Sequence, residues 1–389
     1  MAGELKTTRR GMMGLLAAGT AGLAGACAPR GDNPLPEGAI SADTLRCAEP
    51  LFAVSYSDDE RAQLVRTMEG WTARAEALRA HHKPNTLSPA SSFDPRLPGV
   101  RYREQSNAIR NLPGNAGQMP SDAADLAFAP VWKQAQWMAA GLLSSAELTE
   151  IYLDRIARHG AALECYITVM ADEARATARA RDAERASGRV RGPLHGIPYG
   201  LKDIIDVAGV PATWGATPYR DRVGEETAVV ARRLEEAGAV LLGKTSVGAL
   251  AYGDIWYDGV CRNPFNPREG SSGSSAGSAS ATAAGLCAFS IGTETLGSIV
   301  SPSHRCGTAG LRPTFGRVAR TGAMALCWTL DKVGPITRHV ADTAYVLAAI
   351  NGADAGDPAS FDHGFECDFA QDLSGLRLGY NPAWLEGAS

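Results

Sequence analysis

The chain has 389 residues, of which 45% are hydrophobic and 21% are charged, and its formal net charge is −4. This is the composition of an ordinary globular protein, long enough for one large domain or two of medium size. The sequence has neither a basic stripe nor an acidic run, which argues against a nucleic-acid partner. Its eight cysteines form no Cys-x-x-Cys pair and no zinc spacing with histidine, so we predict free, buried thiols and no metal.

Residues 1–28 carry the pattern of an export signal. A basic start containing Arg9-Arg10 precedes an apolar run over 12–26 that is too short and too weakly hydrophobic for a membrane span. The start has the look of a twin-arginine signal, a route for proteins that fold in the cytoplasm. The segment 23–27 is similar to a lipoprotein cleavage box, which leaves lipidation of Cys27 and plain cleavage as alternatives. We expect an exported protein of the periplasm or cell envelope, with membrane contact only through a lipid on Cys27.

Residues 29–121 are predicted to form a helical extension and an extended arm. Apolar residues recur at helical spacing over 45–80, after the acidic start Asp58-Asp59-Glu60. The segment 83–121 is rich in Pro, Ser, Asn and Gly, which is typical of an arm or linker rather than a packed domain.

The catalytic domain is predicted over 122–389, where helical and short apolar segments alternate. The predicted helices are 122–140, 144–159, 171–187 and 228–237, and the predicted strands are 197–201 and 239–242. This alternation indicates a layered α/β fold with helices on both faces of a central sheet.

The segment 238–245 matches the phosphate-loop pattern G-x-x-x-x-G-K-[ST]. That pattern binds phosphate only where a loop separates a strand from a helix. Here the four middle residues are all apolar and form the predicted strand itself. We therefore predict no nucleotide site and no cofactor.

Two Ser/Gly-rich stretches carry the candidate chemistry. They cover 271–280 and 292–298 and flank an Ala-rich segment, 279–286, with helical potential. Such turns bring hydroxyls and free backbone N–H groups close together. Upstream, Lys202 directly follows a predicted strand, at the carboxyl end where α/β proteins build their sites.

These features together resemble the amidase signature family from about residue 122 onward. The motifs that carry the resemblance occur in the expected order: Gly196-Ile-Pro-Tyr-Gly-Leu-Lys202-Asp203, Gly243-Lys244-Thr245, Cys261-Arg-Asn-Pro-Phe-Asn266, Ser272-Gly-Ser-Ser-Ala-Gly277, Gly292-Thr-Glu-Thr-Leu-Gly-Ser298, Gly307-Thr-Ala-Gly-Leu-Arg-Pro-Thr-Phe-Gly-Arg317 and Asp331-Lys-Val-Gly-Pro335. The family's fold is a layered α/β architecture with a mixed, twisted central sheet.

The resemblance implies a Ser–cis-Ser–Lys triad. By motif, Ser298 is the nucleophile, Ser274 the bridging serine and Lys202 the base, and a cis peptide is expected at Gly273–Ser274 or Ser274–Ser275. Serine needs a base to become nucleophilic, and lysine can serve only if burial lowers its pKa. The expected reaction is hydrolysis of a small amide, or an ester, through an acyl-enzyme, as in amidohydrolases that act on linear carbon–nitrogen bonds.

The remaining site residues surround this triad. The oxyanion donors are expected from the backbone N–H groups of Thr295, Leu296, Gly297 and Ser298. Supporting roles are expected for Ser275, Asp203 and Glu294. His304, six residues after Ser298, is an alternative base, but no G-x-S-x-G elbow accompanies it. Otherwise we expect His304 to have a structural or pocket-lining role.

The nucleophile motif departs from the family's usual Gly-Thr-Asp-x-Gly-Gly-Ser-Ile-Arg. Glu294 stands where Asp is usual, Leu296 where Gly is usual and Val300 where Arg is usual. The loss of that arginine predicts a neutral, apolar or aromatic acyl group.

Family members normally continue well past a predicted strand at 376–380, so the catalytic domain is expected to be truncated at its C-terminal end. Two functional alternatives stay open at this point: an amidotransferase-type subunit, and a catalytically inactive binding protein on the same fold. The residues also leave open whether the protein is an oligomer such as a dimer.

Overall fold

The computed structural model describes residues 40–81 and 93–384. The chain divides into two compact units, one ending at Pro84 and one beginning at Asn85. The predicted export signal and Cys27 lie outside the described residues. Within the described ranges, no helix has both the length and the apolarity that crossing a membrane requires.

The described part of the first unit contains two helices, α1 (Ala42–Ala48) and α2 (Asp58–Ala80), with a 3₁₀ turn at Glu49–Phe52 between them. Each helix begins with a capping box, formed by Ser41 and by Ser57, which satisfies free N–H groups of the first turn. The prediction of helix over 45–80 is confirmed, with an interruption around Pro50.

Eight helices follow in the described part of the second unit. They are α3 (Ala123–Phe128), α4 (Val131–Ala139), α5 (Ser145–Leu163), α6 (Ala171–Ala186), α7 (Val229–Glu236), α8 (Ala276–Ala283), α9 (Val300–Arg305) and α10 (Val340–Ile350). Short 3₁₀ turns occur at Thr217–Tyr219, Ala249–Ala251 and Pro382–Trp384.

The predicted helix over 122–140 is two helices, because Pro130 lies between α3 and α4 and has no N–H for a continuous helix. The helix expected from residue 144 is confirmed, with Ser144 as its N-cap and Glu147 completing a capping box. Helices α6 and α7 agree with the predicted positions to within one residue at either end.

A six-stranded mixed sheet forms the centre of the second unit. Its strands are β2 (Tyr166–Val169), β3 (Pro198–Lys202), β4 (Val240–Thr245), β9 (Phe289–Glu294), β10 (Ala309–Gly310) and β11 (Lys332–Thr337). Their order across the sheet is β10-β11-β9-β3-β4-β2. Strand β3 is parallel to β4 and to β9, whereas the outer pairs are antiparallel. The predicted layered α/β fold with a mixed sheet flanked by helices is confirmed.

The parallel arrangement of β3 and β9 determines where the site forms. Both strands are fully buried and end at the same edge of the sheet, which brings Lys202 close to Thr293 and Glu294. Helix α8 packs against both strands, and its small residues from Ala276 to Thr282 are all buried. A helix with larger side chains on this face would not pack so closely against the sheet.

Three smaller pairings lie outside the central sheet. A strand of the predicted arm, β1 (Ala108–Arg110), pairs in parallel with β12 (Glu366–Asp368). Two short antiparallel pairs join β5 (Ile255–Trp256) to β6 (Gly259–Val260) and β7 (Arg262–Asn263) to β8 (Asn266–Gly270).

The predicted strand over 376–380 is wrong. This segment contains no strand, and Leu376, Leu378 and Tyr380 are exposed. An apolar alternation forms a strand only where a neighbouring strand accepts its backbone hydrogen bonds, and none does so here among the described residues.

Candidate active site

Lys202 is the last residue of β3 and its side chain is completely buried. Its Nζ atom lies 2.9 Å from Ser274 Oγ, 3.0 Å from Ser275 Oγ and 2.8 Å from Thr293 Oγ1. Burial lowers the pKa of Lys202 to about 7, although the charges of Asp331 and Glu294 oppose that shift. Near neutral pH, a large share of Lys202 is therefore an uncharged amine that can accept a hydroxyl proton.

The bond between Gly273 and Ser274 is a cis peptide, which agrees with the position that the family resemblance implies. Only glycine fits before it, because a Cβ atom on Gly273 would lie 1.8 Å from the carbonyl oxygen of Gly253. The backbone N–H of Ser275 donates to the carbonyl of Ser298 over 3.1 Å. This bond ties the cis segment to the residue predicted as nucleophile.

Ser275 links Lys202 to strand β9. Its hydroxyl donates to the Thr293 carbonyl over 3.0 Å and accepts from the Thr293 N–H over 3.1 Å. The Ser275 side chain therefore fixes the position of Thr293, whose carbonyl and hydroxyl both accept from Lys202.

The loop 295–298 connects β9 to α9 and contains the predicted oxyanion donors. Gly297 has φ of +92°, a conformation that side chains disfavour. Ser298 is largely buried, at 9% exposure, whereas the neighbouring Leu296 side chain is 90% exposed. The added side chain of Leu296 therefore points away from the packed interior.

Glu294 holds the far end of this loop. Its carboxylate accepts the N–H of Ile299 over 2.8 Å and of Val300 over 2.9 Å. These are free donors at the start of α9, and a carboxylate is the strongest acceptor that a side chain offers them. Arg312 Nε lies 3.8 Å from the other carboxylate oxygen of Glu294.

Thr295, at the near end of the loop, is held by Lys332 of strand β11 and by Asp331 just before that strand. The Thr295 hydroxyl donates to Asp331, and the Thr295 carbonyl accepts from Lys332 Nζ over 2.9 Å. Neither of these two residues, nor Thr293, was predicted to be part of the site. All three lie inside motifs that carry the family resemblance, and that membership was the available signal.

Asp203 follows Lys202 and forms a buried ion pair with Lys244, with 3.1 Å between Nζ and Oδ1. The other carboxylate oxygen accepts from the N–H and the hydroxyl of Thr213, over 2.8 and 2.6 Å. Asp203 thus joins the end of β3 to β4 and to the following loop, and its supporting role in the reaction stays a prediction. Lys244, the lysine of the phosphate-loop pattern, is the cation of this ion pair.

The other predicted features lie apart from this cluster. His304 is exposed in the last turn of α9. The thiols of Cys165, Cys261, Cys287 and Cys306 are buried and free, as predicted, whereas Cys47 is exposed and Cys327 and Cys367 are only partly buried. Within the described ranges, no three His, Cys, Asp or Glu side chains form a group that could hold a metal ion.

A buried lysine, a cis-linked serine and a second serine on a glycine-containing loop lie at one edge of a mixed α/β sheet, and these are residue types that nucleophilic catalysis by serine uses. The model of the Amidase family matches residues 147–384. The chain belongs to this family.

Its relatives include an amidotransferase component and amidases of known structure. The chain is 41% identical over 257 residues to a glutamyl-tRNA(Gln) amidotransferase subunit of Anaeromyxobacter sp. (strain K), in a match that covers 64% of this chain and 52% of the relative. It is 42% identical to the native peptide amidase of Stenotrophomonas maltophilia, with a TM-score of 0.57 over 60% of this chain and 50% of that one. An amidase family protein of Bacillus anthracis str. Ames is 35% identical, with a TM-score of 0.57 over 61% and 49%.

The chain therefore spans about half the length of the curated relatives that it matches.

Proposed function

We propose that this protein hydrolyses carboxylic amides through an acyl-enzyme on Ser298. The observation that carries the proposal is the Lys202–Ser274 contact of 2.9 Å inside a fully buried site, with the pKa of Lys202 lowered to about 7. A lysine of ordinary pKa would be protonated and could not serve as a base. Family membership supports the same reaction class.

The proposed reaction begins with two proton transfers. Neutral Lys202 takes the hydroxyl proton of Ser274, which in turn takes the proton of Ser298 as its Oγ attacks the amide carbonyl. The carbonyl oxygen becomes an oxyanion, stabilised by backbone N–H groups among residues 295–298, and one such donor typically contributes about 3 kcal/mol.

Collapse of this intermediate breaks the carbon–nitrogen bond. The proton returns from Lys202 through Ser274 to the leaving nitrogen, which departs as an amine. Water then attacks the ester on Ser298 by the same relay, releases the carboxylic acid and restores the serine. An ester substrate would follow the same route with an alcohol as leaving group.

A fluorophosphonate probe tests the nucleophile directly. We expect covalent labelling of Ser298 by peptide mapping, lost in Ser298→Ala and in Lys202→Ala. The matched control is Ser187→Ala, an exposed serine at the C-terminal end of α6, in which labelling persists. A folded full-length protein that takes up no label would refute the proposal and favour an inactive binding protein on the same fold.

The alternative of an amidotransferase-type subunit is favoured by the 41% identity to a component of a glutamyl-tRNA(Gln) amidotransferase. Ammonia release from glutamine, without hydrolysis of aryl or alkyl amides, would support it. The leader-like residues 1–28 argue against it, because tRNA charging takes place in the cytoplasm.

Export through a twin-arginine route remains a proposal, supported by Arg9-Arg10 and the apolar run that follows. Fractionation of cells that express the complete gene product would test it, with Arg9→Lys/Arg10→Lys as the export-deficient variant. Lipid labelling that is lost in Cys27→Ser would distinguish a lipoprotein from plain cleavage. The oligomeric state stays a prediction that light scattering would test.

A further inference from the structure

A cavity of about 260 Å³ borders the lysine–serine site. Its wall includes Thr293, whose hydroxyl accepts from Lys202, and Thr295, the first residue of the loop that leads to Ser298. The cavity therefore lies beside the lysine–serine site, next to Thr293 and Thr295.

Aromatic and sulfur-containing side chains give the cavity its character. Trp214, Met324 and Trp328 line it together with Ile204 and Val333. The ring of Trp214 contacts the guanidinium of an arginine in the same wall at 4.4 Å. Rings and thioethers are the groups that recognise a further aromatic ring.

The cavity wall carries as many positively as negatively charged side chains. It includes three cations and three carboxylates: Arg222, Arg320, Lys332, Asp206, Asp331 and Asp357. The formal charges of the wall therefore cancel.

Each of these charges is already bound within the protein. Arg222 donates to Asp206 over 2.8 Å, and Arg320 donates to Asp357 over 2.7 Å. Lys332 donates to the backbone carbonyl of Thr295. Asp331 accepts two backbone N–H groups from the segment 326–327. A charged ligand would have to compete with these internal partners, so the wall favours a neutral one.

The volume of the cavity indicates the size of ligand that it can hold. An apolar cavity of about 150 Å³ is known to hold a benzene molecule. The present cavity, at about 260 Å³, has room for one aromatic ring and a short alkyl chain. It lies below the range of about 300–1,000 Å³ that is typical of sites for larger ligands.

We infer that this cavity binds the acyl part of the substrate, and that the acyl group is neutral and carries a single aromatic ring on a short alkyl chain. The inference rests on the proposed function. The acyl side is assigned because the cavity adjoins the oxyanion loop at Thr295, whereas the leaving amine receives its proton at Ser274.

Binding to the Ser298→Ala protein tests the cavity without turnover. By isothermal titration, 3-phenylpropionamide should bind about tenfold or more tightly than propionamide, from burial of the ring. Succinamate, which carries a carboxylate, should bind no better than propionamide. Adding Trp328→Ala should bring the phenyl preference below about threefold, whereas the matched control Trp71→Ala, in the first unit, should preserve it. Equal affinities for the three amides would overturn the inference.

Turnover of the wild-type protein separates this inference from the proposed function. With p-nitroanilides, kcat/KM should be about tenfold or more higher for the 3-phenylpropionyl than for the acetyl or succinyl compound. Hydrolysis of all three at similar rates would overturn the cavity assignment and leave the amidase proposal standing. Selective binding without any hydrolysis would support the cavity and refute the amidase proposal. Faster hydrolysis of an amide with the ring on its amine, such as N-benzylacetamide, than of 3-phenylpropionamide would overturn the acyl assignment.

Discussion

Two lysines are completely buried on the neighbouring parallel strands β3 and β4, one residue out of register, and their hydrogen-bond partners differ. The side-chain partners of Lys202 among the described residues are the hydroxyl groups of Ser274, Ser275 and Thr293. Lys244 faces the carboxylate of the aspartate at position 203, at 3.1 Å. Burial lowers the pKa of both lysines, but for Lys244 this neighbouring carboxylate opposes the shift directly.

The difference shows that burial alone does not make a lysine a base. Hydroxyl and carbonyl oxygens satisfy either protonation state of an amine, so desolvation determines the pKa of Lys202. A carboxylate in contact favours the ammonium form, and the Lys244–Asp203 pair connects strand β4 to the end of β3. Four substitutions or conditions test this division of roles.

The largest effect is expected for Lys202→Met, which keeps the length of the side chain and removes the amine. We expect kcat/KM for amides to fall by about 10⁴-fold, the upper range for loss of general base catalysis. Circular dichroism should remain that of the wild type, since no charge is left unpaired. Activity within tenfold of the wild type would show that another group is the base.

Lys244→Met should act on stability instead. It leaves the Asp203 carboxylate buried without its cation, which typically costs about 3–5 kcal/mol of unfolding free energy. Denaturant unfolding would measure this loss. The double variant Lys244→Met/Asp203→Asn should recover part of it, because no unpaired charge remains. A fall in kcat without a fall in the free energy of unfolding would contradict the structural role.

Glu294→Gln tests the carboxylate that holds the nucleophile loop. The neutral amide can accept only weaker hydrogen bonds from Ile299 and Val300, so we expect kcat to fall about tenfold, with a smaller change in KM. Glu294→Asp is the matched variant that keeps the charge and shortens the reach. If both variants retain wild-type kcat, the loop needs no such support.

The last test is the pH dependence of activity and stability. Below a pKa of about 7, Lys202 is protonated and has no lone pair, so kcat/KM should fall about tenfold per pH unit on the acid side and level off above it. Stability should fall between the ordinary lysine pKa of 10.5 and about pH 7 as the pH is lowered, because there the unfolded chain binds a proton that the folded chain does not. An activity plateau that extends to pH 5 would contradict the lowered pKa.

Much of the fold was predictable because periodicity reports local structure. The helices that begin at Ser145 and Ala171 and the strands around Tyr199 and Leu241 are present where the apolar pattern placed them. The errors occurred where a neighbouring residue or a partner strand determines the local structure. Pro130 splits one predicted helix, and the segment at 376–380 finds no partner strand among the described residues.

The candidate site was predictable as a set of residue numbers and not as an arrangement. Motif order identified Lys202, Ser274 and Ser298, while the contributions of Thr293 and Lys332 were not singled out. Those contributions depend on hydrogen bonds between strands that are distant in sequence, such as the one from Lys332 Nζ to the carbonyl that follows β9. No spacing rule within one segment contains that information.

The sequence by itself determined the family, the positions of several helices and of the two central strands β3 and β4, and the residue types available for chemistry. Only the tertiary structure decided which of two buried lysines stands beside a carboxylate and which stands among hydroxyls. The physical reason is that a pKa depends on the dielectric and the charges within a few ångströms of the group. Those surroundings come from β9, the cis segment and the loop after Asp203, which meet only when the sheet is assembled.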